Sequence, residues 1–229
     1  MSALELQGVT VSRGAGPVIS DVSLSVASGA VTAIVGPNGA GKTSLLESIS
    51  GIVRPSAGTI SLDGEDLTRA ARGKRARAGI VHVEQGRAIF PSLTVRENLA
   101  LTARTQAGID EVLAMFPELE KRLSSPSALL SGGEQQMVVL GRAFAAKPKI
   151  LLIDEMSLGL APVVFLRLLP IVSHIASTGV GVLLVEQFAH LALGIAQDAL
   201  VVSSGRVSYS GPAAPLAGDE AKLRSAYLG

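Results

Sequence analysis

The chain has 229 residues, a formal net charge of +1, no cysteine and 48% hydrophobic residues. This composition excludes a disordered chain, disulfide bonds and thiolate metal sites. The near-neutral charge, without a basic patch interleaved with aromatic residues, argues against nucleic acid as a partner.

Two segments near the N-terminus, LELQGVTV and VISDVSLSV, alternate between apolar and polar residues. This alternation predicts strands of an antiparallel sheet with one face in solvent. The following segment, Ala30–Gly36, is almost wholly apolar and ends in glycine, as a buried parallel strand does. Lys42–Ile52 then has helical spacing, with Leu45, Leu46 and Ile49 on one side.

Three more short apolar runs, Gly79–Val83, Lys149–Asp154 and Val180–Glu186, predict further parallel strands. Helical patterns lie between and after them, so we predict an α/β fold with a mostly parallel sheet covered by helices. Ala199–Gly211 contains two strand patterns around a Ser-Gly turn, which indicates a hairpin at one edge of the sheet.

The region from Gln85 to Lys147 differs because it contains no convincing parallel strand. Its helical patterns cover Thr94–Ala103, Ile109–Phe116 and the residues from Ser131 onward. We interpret residues 85–147 as a helical subdomain inserted into one domain, residues 1–229, whose core comprises residues 1–84 and 148–229. The N-terminus lacks a signal-peptide pattern, and no run approaches the ~18 apolar residues of a membrane helix, so we expect a soluble chain.

The segment GPNGAGKT matches the phosphate loop G-x-x-x-x-G-K-[ST] and lies between a predicted strand and a predicted helix. Glycines let the backbone N–H groups turn toward a phosphate, and the helix N-terminus adds a positive partial charge. Lys42 would reach the β- and γ-phosphates, and Thr43 would offer its hydroxyl to Mg²⁺. The alternative is a glycine-rich turn that Lys-Thr follows by chance, and it explains the position between a strand and a helix less well. The predicted nucleotide-binding residues are Gly36, Pro37, Asn38, Gly39, Ala40, Gly41, Lys42, Thr43 and Ser44.

The run KILLIDE places Asp154 and Glu155 at the carboxyl end of a predicted strand, where α/β folds bind ligands. Asp154 would hold Mg²⁺ through water. Glu155 would polarise the water that attacks the γ-phosphate. Two solvated carboxylates that merely end a strand would be the simpler interpretation if the chain had no phosphate loop.

A second glycine-rich site begins at Ser131, in LLSGGEQQMVVLGRAF. Ser131 and Glu134 form the S-x-x-E pattern of a capping box, which begins many helices. The longer LSGGEQQ is more specific, and through it the chain resembles the ATP-binding-cassette (ABC) ATPases, whose signature loop reads LSGGQ or similar. The resemblance covers nearly the whole chain in the family's order: phosphate loop, glutamine loop, signature, acidic strand and switch.

The resemblance implies a P-loop NTPase fold, ATP and Mg²⁺ as cofactors, and a second ATP-binding subunit, identical or related. In this family two ATPase domains pair head to tail, and the signature of one caps the ATP bound by the phosphate loop of the other. The resemblance therefore assigns Ser131, Gly132, Gly133 and Glu134 to the partner's ATP. Gln85 matches the glutamine loop, which binds Mg²⁺ and contacts the membrane subunit.

Four stretches together resemble one subgroup, the ATP-binding subunits of branched-chain amino acid importers and their urea and amide relatives. They are Val83–Leu99, SGGEQQMVVLGRAF, Ser157–Pro162 and Leu183–Gln187. The resemblance implies a membrane permease as partner, a substrate-binding protein acting through it, and a place at the cytoplasmic face of the cell membrane. The alternatives are a urea or amide importer, a soluble ABC ATPase of DNA repair or ribosomes, and a P-loop kinase.

The chain departs from the family pattern at four positions. Arg13 stands where the family stacks adenine on an aromatic residue, and its guanidinium could stack or have no role. Met156 replaces a usual proline, and Ala161 a usual aspartate, as it does in the subgroup. Gln187 replaces the switch histidine, and we predict that it orients the attacking water. His190, three positions later, is more typical of a surface residue.

Overall fold

The alternating N-terminal segments form the strands β1 (Ala3–Arg13) and β2 (Gly16–Ala27) in the computed structural model, which describes residues 3–14, 16–86 and 88–228. β1 pairs antiparallel with β2 and with β4 (Ala57–Leu62), and β5 (Glu65–Asp66) completes a four-stranded sheet in the order β2-β1-β4-β5. The predicted antiparallel sheet is confirmed.

A second sheet of six strands has the order β10-β9-β3-β8-β7-β6. Its strands are β3 (Val31–Val35), β6 (Ile80–Val83), β7 (Ile150–Asp154), β8 (Gly181–Glu186), β9 (Asp198–Ser203) and β10 (Arg206–Pro212). All pairs are parallel except β9 with β10, which form the predicted edge hairpin. The register aligns Val35 with Glu186 and Asp154 with Val185, so three strands end at one edge of the sheet.

The helices of the described residues cover both faces of the six-stranded sheet or, between β6 and β7, pack on one another. They are α1 (Lys42–Ser50), α2 (Arg72–Ala78), α3 (Val95–Ala100), α4 (Gln106–Met115), α5 (Gly132–Ala145), α6 (Pro162–Ser177), α7 (Ala189–Leu193), α8 (Ala214–Ala217) and α9 (Glu220–Leu228). Short 3₁₀ helices span Pro117–Arg122 and Ser127–Leu129. Within residues 3–14, 16–86 and 88–228, no helix is both long and apolar enough to cross a membrane.

Two hydrophobic cores form because successive strand side chains point to opposite faces of the sheet. In β3, Ile34 packs with Leu45 and Leu46 of α1 beneath the antiparallel sheet. Ala33 and Val35 face the other core, which contains residues of α5 and α6. Every residue of β3, β7 and β8 is buried, which explains their continuous apolar runs.

The segment between β6 and β7 is helical in its described part, as the sequence pattern predicts. Its three α-helices, α3, α4 and α5, contribute Leu99, Val112 and Val138 to a shared apolar interior. The helix predicted from Ser131 onward begins there, with Ser131 as the N-cap. The interpretation of residues 85–147 as an inserted subdomain remains a proposal that this packing supports.

Gly141 in α5 faces side chains of both α3 and α4 at close range. A Cβ atom there would lie 2.6 Å from Cγ1 of Val112 and 3.3 Å from Cδ2 of Leu99. We therefore expect Gly141→Ala to lower the free energy of unfolding by about 1–3 kcal/mol through overpacking, despite the better helix propensity of alanine. Denaturant unfolding would measure the change.

Gly73 in α2 provides a matched control, because a Cβ atom there would meet only the end of the Arg77 side chain, at 3.6 Å. Gly73→Ala should raise the free energy of unfolding by about 0.5–1 kcal/mol through helix propensity alone. If both variants raise the free energy of unfolding equally, the close packing at Gly141 does not limit the size of the side chain there.

Candidate nucleotide-binding site

A cavity of about 430 Å³ opens at the edge where β3, β7 and β8 end. It is lined by Arg13, Val18, Asn38, Gly39, Gly41, Lys42, Thr43, Ser44, Gln85, Glu155, Leu158 and Gln187. The fold thus brings residues of the phosphate loop together with four distant residues that the sequence singled out, namely Arg13, Gln85, Glu155 and Gln187.

The phosphate loop, residues 36–43, follows β3 and passes close to backbone on two sides. Gly36 has a φ of 155°, and a Cβ atom there would clash with the carbonyl oxygen of Val202 in β9. Gly41 has a φ of 98°, and a Cβ atom there would lie 2.6 Å from the carbonyl oxygen of Val18 in β2. Only glycine satisfies both constraints, so these residues hold the loop in a curled path.

Lys42 turns its ammonium group back into the phosphate loop. Its Nζ atom donates to the carbonyl oxygens of Gly36 and Pro37, at 2.8 and 3.0 Å, and lies 3.9 Å from Oε1 of Glu155. The side chain is 4% exposed, and this burial lowers the pKa of Lys42, against the opposing effect of nearby carboxylates. A buried cation held by neutral carbonyls is well suited to receive the charged oxygens of a phosphate.

Asp154, the last residue of β7, has two buried carboxylate oxygens without a hydrogen-bond partner among the described residues. Burial raises the pKa of Asp154 to about 6, and the charge of Glu155 adds to this shift. The Thr43 hydroxyl opposes the shift, although it does not reach hydrogen-bond geometry with either oxygen. A buried, unpaired carboxylate is costly unless a cation completes it, so Asp154 and Thr43 fit a Mg²⁺ ion.

Glu155 follows Asp154 in an unusual backbone conformation, with a φ of 45°. Its backbone N–H donates to the carbonyl oxygen of Val185, at 2.9 Å. Its Oε2 atom accepts a hydrogen bond from Nε2 of Gln85, also at 2.9 Å. β8 therefore fixes the backbone of Glu155, and the residue of the predicted glutamine loop holds its carboxylate at the cavity.

Gln187 directly follows β8 and lines the cavity, whereas His190 does not. His190 lies on α7 and is exposed. This placement agrees with the prediction that Gln187, and not His190, occupies the switch position.

Arg13 ends β1 at the rim of the cavity and forms an ion pair with Glu47 of α1. The guanidinium is thus anchored to the helix that follows the phosphate loop. Arg13 therefore lies beside the phosphate loop. No motif singles out Glu47, whose only signal is that it is a charged residue on the helix after the loop.

The signature residues form the capping box that their spacing predicts. The backbone N–H of Glu134 donates to Oγ of Ser131 at 3.3 Å, and the backbone N–H of Ser131 donates to Oε2 of Glu134 at 2.8 Å. Arg122 donates to the second oxygen of Glu134. None of Ser131, Gly132, Gly133 and Glu134 is among the described residues that line the cavity, so the chain does not bring its own signature to its own phosphate loop.

Glu186, which is fully buried at the end of β8, is a second residue that no motif singles out. Its carboxylate accepts two hydrogen bonds from Ser157. The signal was the same as for Asp154, an acidic residue that ends an otherwise apolar strand.

Comparisons with known proteins add findings of sequence and fold. Residues 19–157 match the family model described as ABC transporter. The chain is 39% identical to the high-affinity branched-chain amino acid transport ATP-binding protein BraG of Pseudomonas aeruginosa, with 99% of both chains covered. It is 33% identical to the lipopolysaccharide export system ATP-binding protein LptB of Haemophilus influenzae, with 100% of this chain and 98% of LptB covered.

Among solved structures, the ADP conformation of MJ1267, an ATP-binding cassette of an ABC transporter, has the same fold. It aligns with a TM-score of 0.88 and 24% identity, over 100% of this chain and 99% of that one.

The position of Gln187 generates a direct test of the switch. Gln187→Ala should lower kcat for ATP hydrolysis by about tenfold or more, or about 1.4 kcal/mol, because the attacking water loses an orienting amide. The KM for ATP should change little. His190→Ala is the matched control and should keep the parent rate. The measurement is the turnover rate of both variants at saturating ATP. If Gln187→Ala is active and His190→Ala is inactive, the switch residue is His190 and not Gln187.

Proposed function

Because this chain belongs to the ABC transporter family as an ATP-binding subunit that hydrolyses ATP, we propose that its hydrolysis drives branched-chain amino acid import through a separate membrane permease. The predicted family is confirmed by the match over residues 19–157. The observation that carries the importer assignment is the full-length similarity to BraG. The chain is also similar to LptB, whose name describes export, so the direction of transport and the substrate need the experiment given below.

In the proposed mechanism, residues 36–44 bind the phosphates of ATP. The curled loop directs backbone N–H groups toward the phosphates at the N-terminus of α1. Lys42 exchanges the carbonyl oxygens of Gly36 and Pro37 for the β- and γ-phosphates. Arg13 lies at the rim, where its guanidinium could stack on the adenine.

Mg²⁺ bound beside the phosphates would neutralise negative charge as it develops in phosphoryl transfer. Asp154 and Thr43 would hold the ion, Asp154 through water. Gln85 is the third proposed ligand, and its contact with Glu155 places its amide at the same cavity. The unpartnered oxygens of Asp154 among the described residues support this assignment.

Glu155 carries the proton chemistry of hydrolysis in this proposal. Its carboxylate accepts a proton from the attacking water, while the amide of Gln187 accepts a hydrogen bond from that water and donates one to a phosphate oxygen. An amide cannot become cationic near neutral pH, unlike the histidine usual at this position. Glu155 and Gln187 line the same cavity, which supports this division of labour.

A second ATP-binding subunit would complete the site. Ser131, the exposed N-cap of α5, would contact the γ-phosphate bound by the partner, together with the N–H groups of Gly132 and Gly133. Glu134 holds this turn in shape through the capping box. A cavity that lacks its own signature supports a head-to-tail pair, formed with a second copy or with a related chain.

The permease would bind near the glutamine loop, at the cytoplasmic face of the membrane. Three large apolar side chains in the proposed subdomain are exposed, namely Phe90, Leu101 and Leu129, the last of them 76% exposed. Arg142 of α5 donates to the carbonyl oxygen of Ala88, at 2.7 Å, and so ties the chain after Gln85 to the signature helix. A permease segment that contacts this region would act on both motifs.

The head-to-tail arrangement predicts complementation between two inactive variants. Lys42→Ala removes the phosphate-binding charge, and Ser131→Arg blocks the signature, so each alone should be inactive. In a mixed dimer, the phosphate loop of one chain meets the intact signature of the other. An equal mixture should recover up to about a quarter of the parent ATPase rate, because about half of the dimers are mixed and each has one complete site.

The double variant Lys42→Ala/Ser131→Arg is the control, because mixing it with either single variant leaves no complete site. Differently tagged chains would verify that mixed dimers form. If mixed dimers form and remain inactive, either the signature does not act in trans or two intact sites are required. Recovery of activity with the double variant would contradict the composite site.

The substrate can be tested through the transporter's other subunits. If the chain serves a branched-chain amino acid importer, its gene should lie beside genes for two permeases and a binding protein. Calorimetry on that binding protein should detect binding of leucine, isoleucine or valine, with urea and short amides binding at least about tenfold, or about 1.4 kcal/mol, more weakly. Tight binding of urea or an amide would favour the related importer class. Neighbouring genes for an export system would favour a function like that of LptB. Co-purification with DNA or ribosomes would favour a soluble ABC ATPase.

A further inference from the structure

Glu186 is a fully buried carboxylate that accepts two hydrogen bonds from Ser157, and the backbone N–H of Gln187 also interacts with it. The backbone N–H of Ser157 donates to its Oε1 atom at 3.2 Å, and the hydroxyl of Ser157 donates to its Oε2 atom at 2.6 Å. Burial raises the pKa of Glu186 to about 7, since few groups replace the lost water. An acidic residue in this position is costly, and packing alone does not explain it.

The contact joins two segments that each contribute a residue to the nucleotide site. On one side, residues 155–157 follow β7, and on the other, Val185 and Glu186 end β8. The backbone N–H of Glu155 also donates to the carbonyl oxygen of Val185, so three hydrogen bonds join the segments. Glu155 and Gln187, next to these contacts in sequence, both line the cavity.

Glu155 depends on this contact because of its backbone. Its φ of 45° is a left-handed conformation that costs a residue with a side chain about 1–2 kcal/mol. Such a conformation persists only where neighbouring contacts impose it. Met156, buried at 3% exposure, anchors the chain between Glu155 and Ser157. The next residue, Leu158, is half exposed and lines the cavity, so the same segment continues along the cavity wall.

We propose that Glu186 is a positioning residue that holds Glu155 and Gln187 in their reactive arrangement through its two hydrogen bonds to Ser157. The proposal rests on the proposed ATPase mechanism, in which Glu155 and Gln187 act on one water molecule. Glu186 itself touches no reacting atom. Its loss would let residues 155–158 relax and separate the two groups, while the phosphate loop would keep its structure and its affinity for ATP.

The test compares two substitutions of Glu186 of similar size. Glu186→Gln retains an oxygen for the Ser157 N–H, and its NH₂ group can donate to the Ser157 hydroxyl, so the link survives. Glu186→Met removes both hydrogen bonds. We expect Glu186→Gln to keep kcat within about threefold of the parent and Glu186→Met to lower kcat by about tenfold or more. The KM for ATP should stay within about twofold in both, because binding is not affected.

Ser157 supplies a second route if Glu186→Met folds poorly, which thermal unfolding would reveal. Ser157→Ala should lower kcat, and Ser157→Thr, which keeps the hydroxyl, should restore it. The double variant Glu186→Met/Ser157→Ala should be no slower than Glu186→Met alone, because the two residues form one link.

Three outcomes would overturn the proposal. They are full activity of Glu186→Met, an equal loss of kcat in Glu186→Gln and Glu186→Met, and multiplied losses in the double variant. An unsubstituted protein without ATPase activity would instead contradict the proposed function, so the two failures are distinguishable.

Discussion

The functional site depends on the parallel pairing of β8 between β3 and β7. This pairing aligns the ends of three strands, so the phosphate loop, the acidic pair Asp154–Glu155 and Gln187 all leave the sheet at one edge. The strands are buried on both faces and tolerate little shift, because a slip of one residue would reverse every side chain. The register therefore sets the distances between the groups.

At this edge the protein buries charged groups that are only partly compensated. Lys42 donates to neutral carbonyl oxygens, and Asp154 has no hydrogen-bond partner among the described residues. Glu186 accepts a hydrogen bond from the neutral hydroxyl of Ser157. Burial lowers the pKa of Lys42 and raises the pKa of Asp154 and of Glu186, and each shift favours the neutral form. A nucleotide with its magnesium ion would supply the missing partners of Lys42 and Asp154. The free protein is therefore locally less stable at the site that would bind the nucleotide.

The proposed head-to-tail pair would account for the second glycine-rich motif, which does not line the cavity of its own chain. In the proposed head-to-tail pair, each chain offers a phosphate loop on one surface and a signature on another. Arg142 connects the signature helix to the chain after Gln85, and Glu186 connects Glu155 to the segment with Leu158. These two links are where permease binding and partner binding could reach the chemistry.

The sequence by itself determined the fold class, the buried strands, the edge hairpin and the capping box at Ser131. These features follow from local patterns such as apolar runs, alternation and glycine-rich turns, which need no distant residue. It missed β4 and α2, because only Ile60 and Leu62 alternate in the short segment AGTISL, and α2 has little apolar periodicity.

Only the tertiary structure decided what meets at the cavity. It paired Arg13 with Glu47, Gln85 with Glu155, and Glu186 with Ser157. Each pair joins residues from 29 to 70 positions apart. No local pattern carries such information, because contacts at this range are set by strand order and register, which form only when the whole core packs.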